Sequence, residues 1–176
     1  MRTKYIILVM VYVLFHITGL IVAQEKGIIQ LYLDPKMMVE GPYADSKSGE
    51  LDLMIKAGLS NKTYEMGFFV EQFKALSYTS IGAYYNKKVN VEKILPMLNR
   101  FEFSAGLDTG FIHRIISNQK NYSFTAALNA ETKYYIKKNF GVSLLSNYRY
   151  RGDLVHFYDT KNPMLFSGYV GLFYKF

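Results

Sequence analysis

From Ile29 to the last residue the chain alternates apolar and polar positions with a period of two, cut into blocks by short polar stretches. A helix returns its apolar residues about every 3.6 positions, so this pattern predicts strands with one apolar face. The first block runs from Ile29 to Glu40, with Ile29, Leu31, Leu33, Met37 and Val39 opposed to Gln30, Tyr32, Asp34, Lys36 and Glu40. Pro35 cannot donate to a ladder, so a bulge or local break is expected there. The second block, Leu51 to Ser60, opposes Leu53, Ile55, Ala57 and Leu59 to Asp52, Met54, Lys56 and Gly58. A Ser-Asn-Lys turn leads to a third, about Thr63 to Phe73, whose polar face holds Glu65 and Glu71. A fourth spans about Tyr78 to Lys87, and Val89–Asn99, with Pro96, reads as a longer connection with one helical turn. The fifth, Phe101 to Arg114, and the sixth, Tyr122 to Ile136, are the most regular. A Lys-Lys-Asn turn precedes the seventh, Phe140 to Arg151; a loop through Asp153–Pro163 precedes the eighth, Met164 to Phe176.

The placement of charge decides what these strands build. Asp34, Glu40, Asp52, Glu65, Glu71, Glu102, Asp108 and Glu131 all fall on the polar face. So do Lys36, Lys56, Arg114, Lys133, Arg149, Arg151 and Lys175, while the other face is free of charge away from strand ends. A soluble barrel, such as a lipocalin-like pocket, would invert this, with the charges outside and the apolar residues within. Charges packed without partners in a soluble core would be prohibitively costly. In a membrane barrel they fill the lumen as paired networks, shielded from lipid. Strands of this length, at a rise of ~3.3 Å per residue and a tilt of ~40°, cover an apolar band ~25 Å tall. The expected fold is all-β: an eight-stranded antiparallel up-and-down transmembrane β-barrel. Eight strands leave an interior just wide enough for side chains, so a plugged core is expected and an open pore is not.

Composition adds a compartment. Arg2 and Lys4, the apolar run from Tyr5 to Ile17 and the small Ala23 have the pattern of a secretory signal peptide. Residues 1–23 are therefore expected to be cleaved, leaving 24–176 as a single barrel domain. The 21 basic residues less Arg2 and Lys4 leave 19 against 14 acids. Much of that surplus, Lys62, Lys87, Lys88, Lys93, Arg100, Lys137 and Lys138, lies in turns expected on the periplasmic side with both mature termini. Contact with anionic headgroups accounts for it; no aromatic-interleaved basic motif argues for direct binding of nucleic acid. Tyr and Phe near strand ends, among them Tyr64, Phe101, Tyr134 and Phe140, suit interfacial girdles.

Candidate chemistry is sparse. There is no cysteine, so no disulfide framework or thiolate metal site can form. Two histidines remain after the leader, His113 on the apolar face of strand five and His156 in the last loop. A lipid-modifying barrel enzyme, an acyltransferase or deacylase, would need a serine and an orienting acid near one of them. The sequence does not place them together. No cofactor is implied, and no catalytic or metal-binding residue is assigned.

The terminal segment, with Leu172, Tyr174 and Phe176 at alternate positions, resembles the carboxy-terminal targeting strand of bacterial outer-membrane barrels. Those three residues are the expected assembly signal, read by the barrel assembly machinery. Shorter stretches resemble the TraO-like conjugal-transfer proteins of Bacteroidetes: Gln24 with Lys26-Gly-Ile28, Gly67 with Gln72-Phe73, Gly106-Leu with Gly110-Phe, Glu131-Thr-Lys-Tyr, Phe140-Gly-Val, and Gly171 to Phe176. That resemblance implies an envelope component of a conjugative apparatus and carries over no catalytic residue. The expectation is thus a non-enzymatic outer-membrane barrel, monomeric, in contact with outer-membrane lipids and other envelope proteins. Its characteristic site is a lumen charge network formed by Asp34, Lys36, Asp52, Lys56, Glu65, Glu71, Glu102, Asp108, Arg114, Glu131, Lys133, Arg149 and Arg151.

Overall fold

The computed structural model describes residues 26–40, 51–89, 98–116 and 118–176. The expected signal peptide, the 41–49 loop and the centre of the 89–99 connection lie outside the described residues. The strands are β1 (Lys26–Leu33), β2 (Asp52–Ser60), β3 (Tyr64–Phe73), β4 (Tyr78–Val89), β5 (Phe101–Ile116), β6 (Gln119–Lys137), β7 (Phe140–Arg151) and β8 (Met164–Lys175). They form one closed barrel in chain order. Every neighbouring pair is antiparallel, and β8 returns to β1 from Ile28↔Lys175 to Leu33↔Val170. Closure leaves the shared length of these strands without a free edge.

The predicted alternation survives as alternating burial, and in β7 every second residue from Gly141 to Arg151 is buried. Its sense is inside out. Lys56 is 0% exposed and Lys133 1%, whereas Phe68 is 72% exposed and Phe166 68%. Burial of the charges is tolerable because they meet one another inside; exposure of the aromatics is tolerable because lipid surrounds them. The chain is a transmembrane β-barrel.

Two inward glycine pairs let the sheet curl this tightly. Gly58 faces Gly67 across β2–β3, and Gly82 faces Gly110 across β4–β5. A Cβ on Gly67 would stand 2.1 Å from the Ala57 carbonyl oxygen and 2.5 Å from the Gly58 Cα. No side chain fits there without opening the curve.

The structure departs from the sequence expectation at the end of the barrel away from the termini. β1 stops at Leu33, and a short helix, α1 (Pro35–Glu40), follows. Asp34 caps it: its Oδ1 accepts from the Lys36 backbone N–H at 2.9 Å and the Met37 N–H at 3.3 Å. An aspartate before a proline is a helix-start signal, since proline fits the first helical position and needs no donor there. The period of two between residues 35 and 40 was therefore misleading. Lys36, expected in the lumen, is exposed on α1 instead. The expected loop after β7 likewise begins as a helix, α2 (Gly152–Tyr158), closed by Asp159 in the left-handed conformation. It lies against β5 and β6.

Candidate functional site in the charged lumen

Alternate inward positions on all eight strands stack their polar side chains into three tiers along the barrel. Nearest the termini, Glu102 of β5 gathers Lys88 at 3.0 Å, Lys175 at 3.1 Å and the Tyr135 hydroxyl at 3.0 Å. Lys88 also donates to Ser60 Oγ at 2.8 Å, which ties β4 to β2 across the opening. The fourth strand was expected to end at Lys87, with Lys88 beside the turn; β4 runs on to Val89, and alternation turns Lys87 outward and Lys88 to the lumen.

The middle tier is the most enclosed. Lys133 Nζ bridges Glu65 at 2.8 Å and Glu131 at 3.1 Å. Glu65 also accepts from Gln30 Nε2 at 2.5 Å, and Glu131 accepts from Ser143 at 2.7 Å and from Tyr32. Beside them Lys56 meets Asp108 at 3.0 Å, and Asn129 donates to the other Asp108 oxygen at 2.7 Å. Lys56 also lies 4.8 Å from the centre of the Tyr84 ring. Each ammonium faces carboxylates and each carboxylate several donors, the arrangement buried ions need.

The third tier forms the mouth. Arg149 pairs with Glu71, which also accepts from Tyr169 at 2.7 Å and Tyr78 at 3.1 Å. Above it Asp153, carried by α2, is fully buried and clamps two arginines. It bonds Arg151 through both oxygens at 2.7 and 2.6 Å and Arg114 at 2.9 Å. Burial alone would raise the Asp153 carboxyl, but the Arg151 and Arg114 guanidiniums hold it below the ordinary value of 3.8. Around this tier lies a cleft of about 390 Å³, bounded by α1, α2 and the ends of β2, β3, β7 and β8. Asp52 lines it, 6% exposed, with Oδ1 buried and without a hydrogen-bond partner.

Of the thirteen residues expected in the network, twelve lie at the lumen or its rim: Asp34 as the α1 cap, and Asp52, Lys56, Glu65, Glu71, Glu102, Asp108, Arg114, Glu131, Lys133, Arg149 and Arg151 inside. Lys36 differs in sitting exposed on α1, where it lines the mouth cleft from outside the strands. Sequence reading missed Asp153, because a residue assigned to a loop has no face. It set Tyr32 on the polar face but did not count it, or Tyr78, Tyr84, Tyr135 and Tyr169, in the network, although their hydroxyls or rings complete the tiers. Their parity with the charged residues was the available signal. Glu40, expected inward, has a side chain outside the described structure.

The opposite rim has a different character. A cleft of about 550 Å³ is lined by Lys26, Arg100, Lys137, Lys138 and Lys175 with Asn99, Asn139, Tyr135 and Ile136, and no acid among the described residues lines it. It sits where the apolar band ends, beside the packed rings of Phe101 and Tyr134. His113 stacks on Tyr122 with ring centres 4.7 Å apart, and its Nε2 is buried without a hydrogen-bond partner. His156 packs edge-on against Phe157. Among the described residues no group of three or more His, Cys, Asp or Glu side chains could hold a metal ion.

No protein-family model matches the sequence, and no curated protein matches it. Among solved structures, the chain is similar to Neisserial surface protein A, at 13% identity and a TM-score of 0.49, over 86% of this chain and 96% of that one. It is also similar to Ail, the attachment invasion locus protein of Yersinia pestis, at 13% identity and a TM-score of 0.46, over 86% and 97%. The barrel assignment rests on the closed strand register and the inside-out placement of charge.

Proposed function

We propose that the protein is an outer-membrane envelope barrel without catalytic activity, which acts through its two ends. The observation that carries this reading is the filled lumen, in which the buried charges are largely paired with one another. Fixed ion pairs and tyrosine hydroxyls fill its three tiers, which suits a rigid scaffold and leaves the rims as the surfaces open to other molecules. The basic cleft at the terminal rim fits anionic headgroups of the adjacent leaflet. The barrel assembly machinery would recognise Leu172, Tyr174 and Phe176. With a cleaved leader at 1–23, both mature termini and the basic rim would face the periplasm, and α1 and α2 the outside.

A lipid-modifying enzyme is the alternative; it would need a serine within hydrogen-bond reach of His113 or His156 and an acid to orient that histidine. The resemblance to TraO-like proteins supports a finer role, as an envelope component of a conjugative apparatus. Deleting the gene from a conjugative donor should lower transfer frequency at least about tenfold, with recovery on complementation. Unchanged transfer would exclude that role while leaving the barrel reading intact. Sucrose-gradient separation of membranes tests the location; recovery with the inner membrane or the soluble fraction would remove it.

A further inference from the structure

The barrel wall is incomplete on one side of the mouth. Pairing of β8 with β1 stops at Leu33↔Val170, whereas its pairing with β7 continues to Tyr150↔Met164. Along residues 164–169 one edge of β8 therefore has no strand partner among the described residues, because the Asp34–Pro35 helix start diverts the chain that would have covered it. A second cleft, of about 490 Å³, fills this notch between α1, β7 and β8. It shares Lys36, Met37, Leu165, Ser167 and Tyr169 with the mouth cleft, so the two adjoin through the gap in the wall. On the outer side its lining is apolar and lipid-facing: Leu144, Phe166 and Val170 are all exposed. Gly168 lies at the opening, and a Cβ built on it meets nothing within 4 Å. The inward positions of β8 confirm that the lumen opens here, since Tyr169 is buried, Ser167 half-buried and Leu165 exposed.

The inner side is polar and of mixed sign. Arg149 and Arg151 line the mouth cleft with Asp52, whose buried Oδ1 has no donor. Both guanidiniums are paired, Arg149 with Glu71 and Arg151 with Asp153; the N–H groups they leave unspent are donors for a phosphate, and the unpartnered Asp52 oxygen favours an N–H donor. We propose that the notch and mouth together form a binding site for one amphiphile, a phospholipid with a phosphoethanolamine headgroup. Its phosphate meets the arginine cluster, its ammonium meets Asp52, and its acyl chain leaves through the notch into the bilayer. Choline, which has no N–H, cannot satisfy Asp52. This site is independent of any conjugative role and requires only the barrel.

The test uses the full mature protein refolded in a non-ionic detergent and titrated with lysophosphatidylethanolamine and lysophosphatidylcholine of equal chain length, read by native mass spectrometry. The ethanolamine lipid should bind about tenfold more tightly, the scale of one hydrogen bond to a charged group. Asp52→Asn should abolish that discrimination. Gly168→Phe, which fills the opening, should weaken both lipids about tenfold. Either variant is read only where it keeps its heat-dependent gel shift; the comparison of two lipids on the unaltered protein needs neither. Equal affinity for the two lipids overturns the headgroup assignment. Binding indifferent to Gly168→Phe, or free phosphoethanolamine competing as well as the lipid, overturns the exit through the wall. A dimer cross-linked through position 168 would give the open edge to a second copy and reject the proposal.

Discussion

At the scale of single residues, the lumen is a set of ions that tolerate burial only together. Lys133 compensates two carboxylates, Glu65 and Glu131. Lys133→Met should destabilise the refolded barrel by about 3–5 kcal/mol, because both carboxylates are left buried without their cation. Adding Glu65→Gln to that variant should recover part of the loss in a urea titration; no recovery would mean that the pair is not coupled. Asp153 carries a pH dependence. Its carboxyl lies below 3.8 in the folded chain, held there by Arg151 and Arg114 against the effect of burial. A depressed carboxyl contributes stability that is fully present above its unfolded value of ~3.9 and is lost as pH falls through the lower folded value. Asp153→Asn should therefore lower the urea midpoint at pH 7, by about 2 kcal/mol in stability. The gap between variant and parent should close below about pH 4. A gap that stayed constant down to pH 2 would rule out Asp153 as the titrating group.

At the scale of elements, closure depends on β8 and on the curvature of β2–β5. The Phe176 N–H donates to the Gly27 carbonyl at 2.9 Å, extending the β1–β8 seam by one bond beyond β8. Its ring lies so near Gly27 that a Cβ there would be 2.3 Å from it. Deletion of Phe176 should reduce the heat-shifted, assembled fraction in membranes more than removal of 160–162, which lies between α2 and β8. Equal effects would deny the terminal residue a special part in assembly. Gly67→Val places two methyls where a single Cβ already meets backbone at 2.1 Å. It should block refolding, or cost at least about 3 kcal/mol, since backbone rather than a flexible side chain must move. The same substitution at Gly168, with open space around it, should be tolerated.

At the scale of the whole molecule, an exterior of exposed Phe, Leu and Tyr around a charged interior has one compatible solvent. Unboiled protein should migrate faster on a gel than boiled protein. Recovery as a stable, detergent-free monomer would contradict the transmembrane assignment outright. The closed sheet has the interior of a filled rod, and its two ends differ: at one a basic cleft with no acid in its lining among the described residues, and at the other a mouth braced by α2 and breached beside α1.

The sequence by itself determined the strands and their two faces; burial of Lys56 and Lys133 and exposure of Phe68 and Phe166 then decided which face turned inward. A period of two is a local property, and charge on one parity is visible without coordinates. Ile29 to Leu33 was legible for that reason, as were β7 and the lumen positions of Glu65 or Lys133. Local pattern misled where two signals competed, at Asp34-Pro35, where capping chemistry outweighed alternation and set Lys36 on a helix, and it left the helix after β7 unread. Tertiary structure alone decided which ions meet, because Lys56 and Asp108, or Arg149 and Glu71, come from distant strands and touch only once the sheet closes. It also decided that α2 folds back to bury Asp153, and that the β1–β8 seam stops short of the rim. Asp153 meets Arg114 and Arg151 only once β5, β7 and α2 are brought together, and the open edge of β8 exists only relative to where β1 ends.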